Sequence, residues 1–285
     1  MSIPFKTEVL PPLPAPAPVP TLLRDLVHER IGVYFESSRL DTLLEKLASR
    51  ARANRCVSFL DYYYLLKYED KGRREWLRVM DAFSVQETYF WREVDQINVL
   101  VDVVVPAWFR DNTAPLRIWS AACATGEEPY SIAIALKEAG WGGHPIEINA
   151  SDASEAALER ARSGIYRERS FRSLPAHLRE KYFKPVPGGY KIDDDIASRV
   201  RFHWANLVSP EATRDLSRSF VIFCRNVFIY FSPMAIKRTV EDFANHMPPA
   251  GHLFIGASES LLKLTQRFDL REMGGAFVYV KTDRP

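Results

Sequence analysis

From Thr21 to about Arg110 the apolar residues recur at three- and four-residue spacing, the period of amphipathic helices. In RLDTLLEKLASRARANR, residues 39–55, the set Leu40, Leu43, Leu44, Leu47 and Ala51 forms one stripe, and Thr21 is placed to cap an earlier helix, LLRDLVHERI. VSFLDYYYLLKYEDKGRREWLRVMDAFSV predicts two or three short helices around Gly72, and REVDQINVLVDVVVPAWFRD a further helix ending near Pro106. Beyond Pro115 the period changes. Short runs LRIWSAA, IEINASD, FVIFCRN, HLFIGA and AFVYVK alternate with helical stretches EPYSIAIALKEAG, SEAALERARSG and SPMAIKRTVEDFANHM, the last with Ser232 as cap and Pro233 at its first position. This alternation predicts an α/β domain, a mostly parallel sheet with helices on both faces. Residues 180–205 break the rhythm and read as a small β-rich insertion with a Gly-Gly turn. At the other end PPLPAPAPVP favours extended polyproline II and predicts a stiff, solvated leader. The expected organisation is a disordered leader 1–20, a helical domain 21–92, a linker helix 93–112 and an α/β domain 113–285.

Charge narrows the function only a little. Lys+Arg 38 against Asp+Glu 36 gives a net charge of +2, so no field of the whole molecule attracts nucleic acid or an anionic membrane. A basic surface has to be local. Helix 39–55 offers one, since Arg39, Lys46, Arg50, Arg52 and Arg55 share it with only Asp41 and Glu45. The bland reading is a solvated face; the sharper one is a dock for an acidic partner. Cys56, Cys123 and Cys224 are far apart, without metal-ligand spacing, and fit reduced thiols. No apolar run approaches the ~20 residues of a membrane span, and MSIPFKTEVL has no signal-peptide pattern, so a cytoplasmic protein is expected.

The chemistry is expected in the loops that follow the strands, because open α/β sheets bind ligands beyond the carboxyl ends of their strands. The first such loop, SAACATGEEPYS, has one glycine, Gly126, and lacks G-x-G-x-x-G. Its paired Glu127 and Glu128 repel phosphate at the helix end that would otherwise attract it, which argues against NAD and ATP. A cofactor carrying positive charge and no phosphate fits better, and S-adenosylmethionine is such a molecule. Asp152, ending the second strand, is placed to accept hydrogen bonds from ribose hydroxyls. Glutamates in a first helical turn also occur for structural reasons alone.

SAACATGEEPYSIAI, NASDAS followed by ARSGIY, FCRNVFIYFSP and GASESL, in that order, resemble the CheR chemotaxis receptor methyltransferases, over roughly residues 21–283. The resemblance implies an all-α N-terminal domain before a class I, Rossmann-like methyltransferase domain with a small antiparallel β subdomain. It implies methyl transfer from S-adenosylmethionine to receptor glutamates, giving methyl esters and S-adenosylhomocysteine, without a metal. A catalytically weak or inactive S-adenosylmethionine-binding signalling module is the alternative. The family's Thr-x-Phe-Phe-Arg motif falls on Thr88, Tyr89, Phe90, Trp91 and Arg92, with Trp91 replacing a phenylalanine. By the same resemblance Gln86, Thr88, Arg92, Ala122, Glu128, Asp152, Asn206, Leu207, Arg225 and Asn226 match cofactor-pocket positions, and Arg92 and Tyr230 the transfer site. The implied partners are the cytoplasmic helices of methyl-accepting chemoreceptors, met through helix 39–55 by a monomer that neither binds nucleic acid nor inserts into membrane. VPGGYKIDDD is short beside the loop with which some family members grip a receptor's C-terminal peptide, so recognition without that tether is expected.

Overall fold

The computed structural model describes residues 12–283, which form two units. The first runs through Glu29 and resumes over Tyr34–Phe83; the second comprises Arg30–Val33 and the chain from Ser84 onward. Most of the proline-rich leader, residues 1–11, lies outside the described residues.

The first unit is all helical: α1 (Val19–Ile31), α2 (Leu40–Ala53), α3 (Phe59–Tyr68) and α4 (Asp70–Phe83). Helix α1 starts two residues before the expected cap at Thr21, because the Pro18 carbonyl already accepts from the Thr21 and Leu22 amides. A proline is tolerated in a first helical turn, where its missing N–H leaves nothing unpaired. Nor is the preceding segment solvated along its whole length: the Pro14 carbonyl accepts from the Phe59 amide at 2.9 Å. Helix α2 buries Leu43, Leu47 and Ala51 of its predicted stripe.

The second unit opens with α5 (Val94–Val99) and α6 (Val105–Asp111), joined by a π-helical turn, Leu100–Val104. The helix therefore does not end at Pro106. In the wider turn the Val105 amide reaches back five residues to the Leu100 carbonyl, and the next bond of that kind would run from residue 106 to Val101. Pro106 has no N–H to make it. The Trp141 Nε1–H donates to the Val101 carbonyl instead, at 3.1 Å.

Then follow β1 (Leu116–Ala121), α7 (Glu127–Glu138), β2 (Ile146–Asp152), α8 (Glu155–Ser163), β3 (Ile165–Tyr166), α9 (Ala176–Tyr182), β4 (Phe183–Val186), β5 (Gly189–Ile192), α10 (Asp194–Ala197), β6 (Val200–Trp204), α11 (Pro210–Thr213), β7 (Val221–Cys224), α12 (Pro233–His246), β8 (His252–Ile255), β9 (Phe268–Met273) and β10 (Ala276–Lys281). The main sheet has the order β6-β2-β1-β7-β8-β10-β9, parallel except that β10 runs antiparallel to both neighbours. Its strands alternate between two cores. Ile118, Phe223 and Phe254 face one, with residues of α5, α6 and α7; Trp119, Ile222, Cys224 and Leu253 face the other, with Val240 and Phe243 of α12.

The expected α/β class with its helical front is thus the observed one, and the Ser232 cap forms, its Oγ accepting from the Ala235 amide. The insertion needs correcting at both ends. Its sheet, ordered β3-β5-β4, begins at Ile165, well before residue 180, and residues 200–204 belong to the main sheet as β6, paired with β2. A two-residue turn, Pro187 and Gly188, closes the β4–β5 hairpin, with Gly188 at φ +91°.

Candidate cofactor and acceptor site

The strand order reverses between β1 and β7: from β1 the chain proceeds to β2 and β6 on one side, then crosses to β7 on the other. The carboxyl ends of β1 and β7 therefore flank a crevice, and every sequence-predicted site residue lies on the second unit. Among the described residues eight non-glycine residues have positive φ, and five of them, Trp91, Glu93, Ala122, Ala124 and Asn226, sit in the loops named below. Backbone conformations of that kind persist where the surroundings over-determine them.

After β1 the chain winds tightly, with φ of +56° at Ala122, +47° at Ala124 and +92° at Gly126. The Asp152 carboxylate holds this loop to the end of β2, one oxygen accepting from the Ala124 amide at 2.9 Å and the other from the Ser154 amide at 2.8 Å. Gly126 serves packing: a Cβ there would stand 2.9 Å from the Ala161 Cβ and 3.0 Å from the Tyr166 hydroxyl. The two glutamates then diverge. Glu127 turns inward, 3% exposed, accepting from Thr125 Oγ1 and Ser170 Oγ, and its burial raises the carboxyl pKa against those bonds. Glu128 turns toward β7, accepting from Ser120 Oγ and from Arg225 Nε, both at 2.6 Å.

Arg225 is a buried hub. Its side chain is 2% exposed; besides Glu128 it donates to the Glu93 carbonyl at 3.2 Å and Gln96 Oε1 at 3.3 Å, and lies 3.8 Å from the Glu93 carboxylate. It therefore reaches a ligand through Glu128 and Glu93 and not by its own face. Glu93 also accepts from Asn226 Nδ2 and the Ala257 amide, and comes within 3.8 Å of Arg92. Arg92, Glu93, Arg225 and Glu128 form a chain of alternating charge across the crevice. Arg92 itself donates to the Glu87 carbonyl at 2.9 Å and lies over the Tyr89 ring, 5.6 Å from its centroid.

The remaining predicted residues ring this chain. Gln86 Oε1 accepts from Arg160 at 2.6 Å, and Thr88 is half-buried beside Tyr89. The Ala205 amide donates to the Asp152 carbonyl, bringing Asn206 and buried Leu207 beside the end of β2. Asn206 spends its amide on the Arg30 carbonyl, at 2.7 Å. Tyr230, 37% exposed, follows Asn226 in the turn Phe228–Tyr230. Phe90 is fully buried among Tyr166, Phe171 and Phe183, and Trp91 packs on the same core. The larger ring at position 91 is thus accommodated, partly buried, against that core.

Sequence reasoning assigned no role to Glu93, Gln96 or Glu259. The Glu259 carboxylate accepts from the Asn226, Ile229 and Gly256 amides at 2.9, 3.2 and 2.7 Å, ordering the loop that carries Asn226 and Tyr230. A Cβ at Gly256 would overlap the Asn226 side chain, so the glycine is required by close approach. The signal was present in GASES, whose glutamate follows the β8 strand as Asp152 ends β2.

This donor set fits a cationic ligand without phosphate. Carboxylates of Glu128 and Asp152 stand at the crevice, and the loop lacks the glycine cradle that a pyrophosphate needs. Residues 86–276 match the family described as CheR methyltransferase, SAM binding domain, and residues 21–84 the one described as CheR methyltransferase, all-alpha domain. The chain is 36% identical over 263 residues to chemotaxis protein methyltransferase 2 of Vibrio cholerae, covering 90% of this chain and 91% of that protein. It is 32% identical over 255 residues to the chemotaxis protein methyltransferase of Escherichia coli, covering 87% and 86%.

Proposed function

The chain belongs to the CheR methyltransferase family, and we propose that it methylates glutamate side chains of chemoreceptors with S-adenosylmethionine, leaving S-adenosylhomocysteine. The observation that carries this reading is the match of both family domains in order, over nearly the whole chain, to relatives named as chemotaxis protein methyltransferases. The acidic, phosphate-averse crevice agrees with it.

When bound, S-adenosylmethionine supplies a methyl group on a positively charged sulfur. Glutamate has a reference pKa near ~4.3, so the acceptor is already a carboxylate at neutral pH and the protein needs no general base. Arg92 orients that carboxylate. Its charge stabilises the ground state at least as much as the partly neutralised transition state, so its contribution is alignment. The Glu87 carbonyl and the Tyr89 ring fix its direction. Tyr230 lends its hydroxyl at the acceptor. Glu128 and Asp152 face the cofactor's donors, with Gln86, Thr88, Ala122, Asn206, Leu207 and Asn226 lining the pocket, and Arg225 holds Glu128 in place. Exclusion of water helps, because water stabilises the two separated charges better than the neutralised transition state.

The substrates are receptor cytoplasmic helices, and the enzyme works as a cytoplasmic monomer. No helix among the described residues is long and apolar enough to cross a membrane. Lys46 and Arg52 of α2, with Arg39 and Arg55 flanking it, remain candidates for receptor contact. Arg50 does not, for it is committed to Glu75 at 2.9 and 2.7 Å.

The test is transfer of radiolabelled methyl onto receptor cytoplasmic domains, followed by mild alkali. Label released as methanol establishes a carboxyl methyl ester. Cofactor binding by calorimetry with no transfer to any receptor domain would overturn the assignment.

A further inference from the structure

The acceptor arginine has a second guanidinium beside it. The Phe90 amide donates to the Ser170 carbonyl at 2.9 Å, and the Phe90 ring stacks on Phe171 with centroids 5.5 Å apart. These contacts clamp the segment that carries Tyr89 and Arg92 onto the turn Glu168–Phe171. The next residue, Arg172, lies over the Tyr89 ring with its Cζ 3.8 Å from the centroid; the Arg92 Cζ is 5.6 Å from the same centroid. A guanidinium on an aromatic face keeps its N–H groups directed outward, along the ring plane.

Arg172 is half exposed, at 48%, and its recorded ion pair is one 3.4 Å contact from Nη2 to Glu87, itself 71% exposed. Such a pair is weak and leaves most of five donors available. The surroundings reinforce the charge. Residues 160–172 hold five arginines and one glutamate, in a protein of net charge +2. That glutamate, Glu168, is claimed by Arg179 at 2.6 and 2.7 Å. Among the described residues neither Arg167 nor Arg169, both exposed, has an ion-pair partner. Arg162 pairs with Glu155 at 2.6 Å, so the basic character of this segment rests on Arg167, Arg169 and Arg172.

We propose that Arg172 determines specificity: it receives an acidic side chain neighbouring the acceptor glutamate while Arg92 receives the acceptor itself. The proposal rests on the glutamate-methylating reading above. On a helix, residues three or four apart place their Cβ atoms about 5–6 Å from one another. Two guanidiniums sharing one ring span such a pair of carboxylates.

The experiment uses the full chain and two helical receptor fragments, one natural and one with glutamine at the acidic positions three and four residues from the methylated glutamate. The wild type is expected to show KM about tenfold lower for the natural fragment. Arg172→Ala should raise KM about tenfold on the natural fragment only, with kcat moving less than twofold, and so lose the preference. Arg172→Lys, which keeps charge without the flat stack, should restore part of it. A preference that persists in Arg172→Ala, or a loss that falls on kcat, would overturn the proposal. Failure of the wild type to methylate either fragment overturns instead the reading on which it rests.

Discussion

Replacing Arg50 by alanine should weaken the helical unit and leave methyl transfer chemistry itself untouched. Its guanidinium makes two parallel bonds to Glu75, of 2.9 and 2.7 Å, and Glu75 is 6% exposed and also accepts from the Tyr62 hydroxyl at 2.8 Å. Burial tends to raise the Glu75 carboxyl, but bonds from Arg50, Asn54 and Tyr62 outweigh it and hold the pKa below its ordinary value. Breaking a buried pair from one side costs about 3–5 kcal/mol, because a charge is stranded. The Arg50 end is 27% exposed, so water recovers part of the loss. The expectation is about 2–3 kcal/mol, or roughly 2 M in urea midpoint for a unit of this size. Trp76 reports it, since of the six tryptophans it alone lies in the first unit. Because the folded pKa is depressed, the stabilisation is present above pH 4.5 and is lost as pH falls through the folded value. The Arg50→Met, Glu75→Gln double variant should recover at least half. A Trp76 midpoint unchanged in Arg50→Ala would defeat this account. The practical corollary is that the exposed Arg39 and Arg55, which flank α2, are sounder probes of receptor docking there than Arg50.

Three further outcomes are expected. Arg92→Ala should lower kcat at least about a hundredfold with S-adenosylhomocysteine affinity, measured by calorimetry, changed only a few-fold, and Tyr230→Phe should be milder. Gly256→Ala, whose Cβ would displace Asn226, should weaken cofactor binding more than it lowers stability, as calorimetry beside urea denaturation would reveal. Burial, helped by Arg271, pushes His252 down to about 4 from 6.5, so the unfolded chain binds that proton first. Stability should fall by at most about 3 kcal/mol as pH drops across that window, and His252→Gln should flatten the acid limb.

Where the sequence spoke clearly, a residue's neighbours in the chain were also its neighbours in space. Of the central strands, β7, VIFC, and β8, HLFI, read as short apolar runs because both faces are covered, while β1 and β2 keep enough apolar residues between polar ones to be legible beside their turns. The edges were not. β9, FDLREM, carries three charges because one side meets water, and β6, VRFHW, reads as part of the insertion until its pairing with β2 is seen. Pro106 signals a helix end unless the substitute donor, Trp141, is known. In the candidate site, Asp152 was marked by its place at the end of a strand and Glu128 by the family resemblance. Glu93 and Glu259 were not, since they act by accepting backbone amides from loops distant in sequence. Arg50 counted as a surface charge until its partner 25 residues away came into view.

The short stretch Arg30–Val33 interrupts the helical unit but belongs to the second one, bonded through Asn206 and paired at Val33 with Phe231. The chain thus passes between the units three times. A protease cut near Ser84 would sever the covalent link and still leave a piece of the methyltransferase on the front fragment. Recombination that exchanges the first 83 residues among relatives would likewise carry along the partners of Asn206 and Phe231. The two parts must therefore be inherited as a matched pair, and hybrids between distant relatives should be repaired first at residues 30–33.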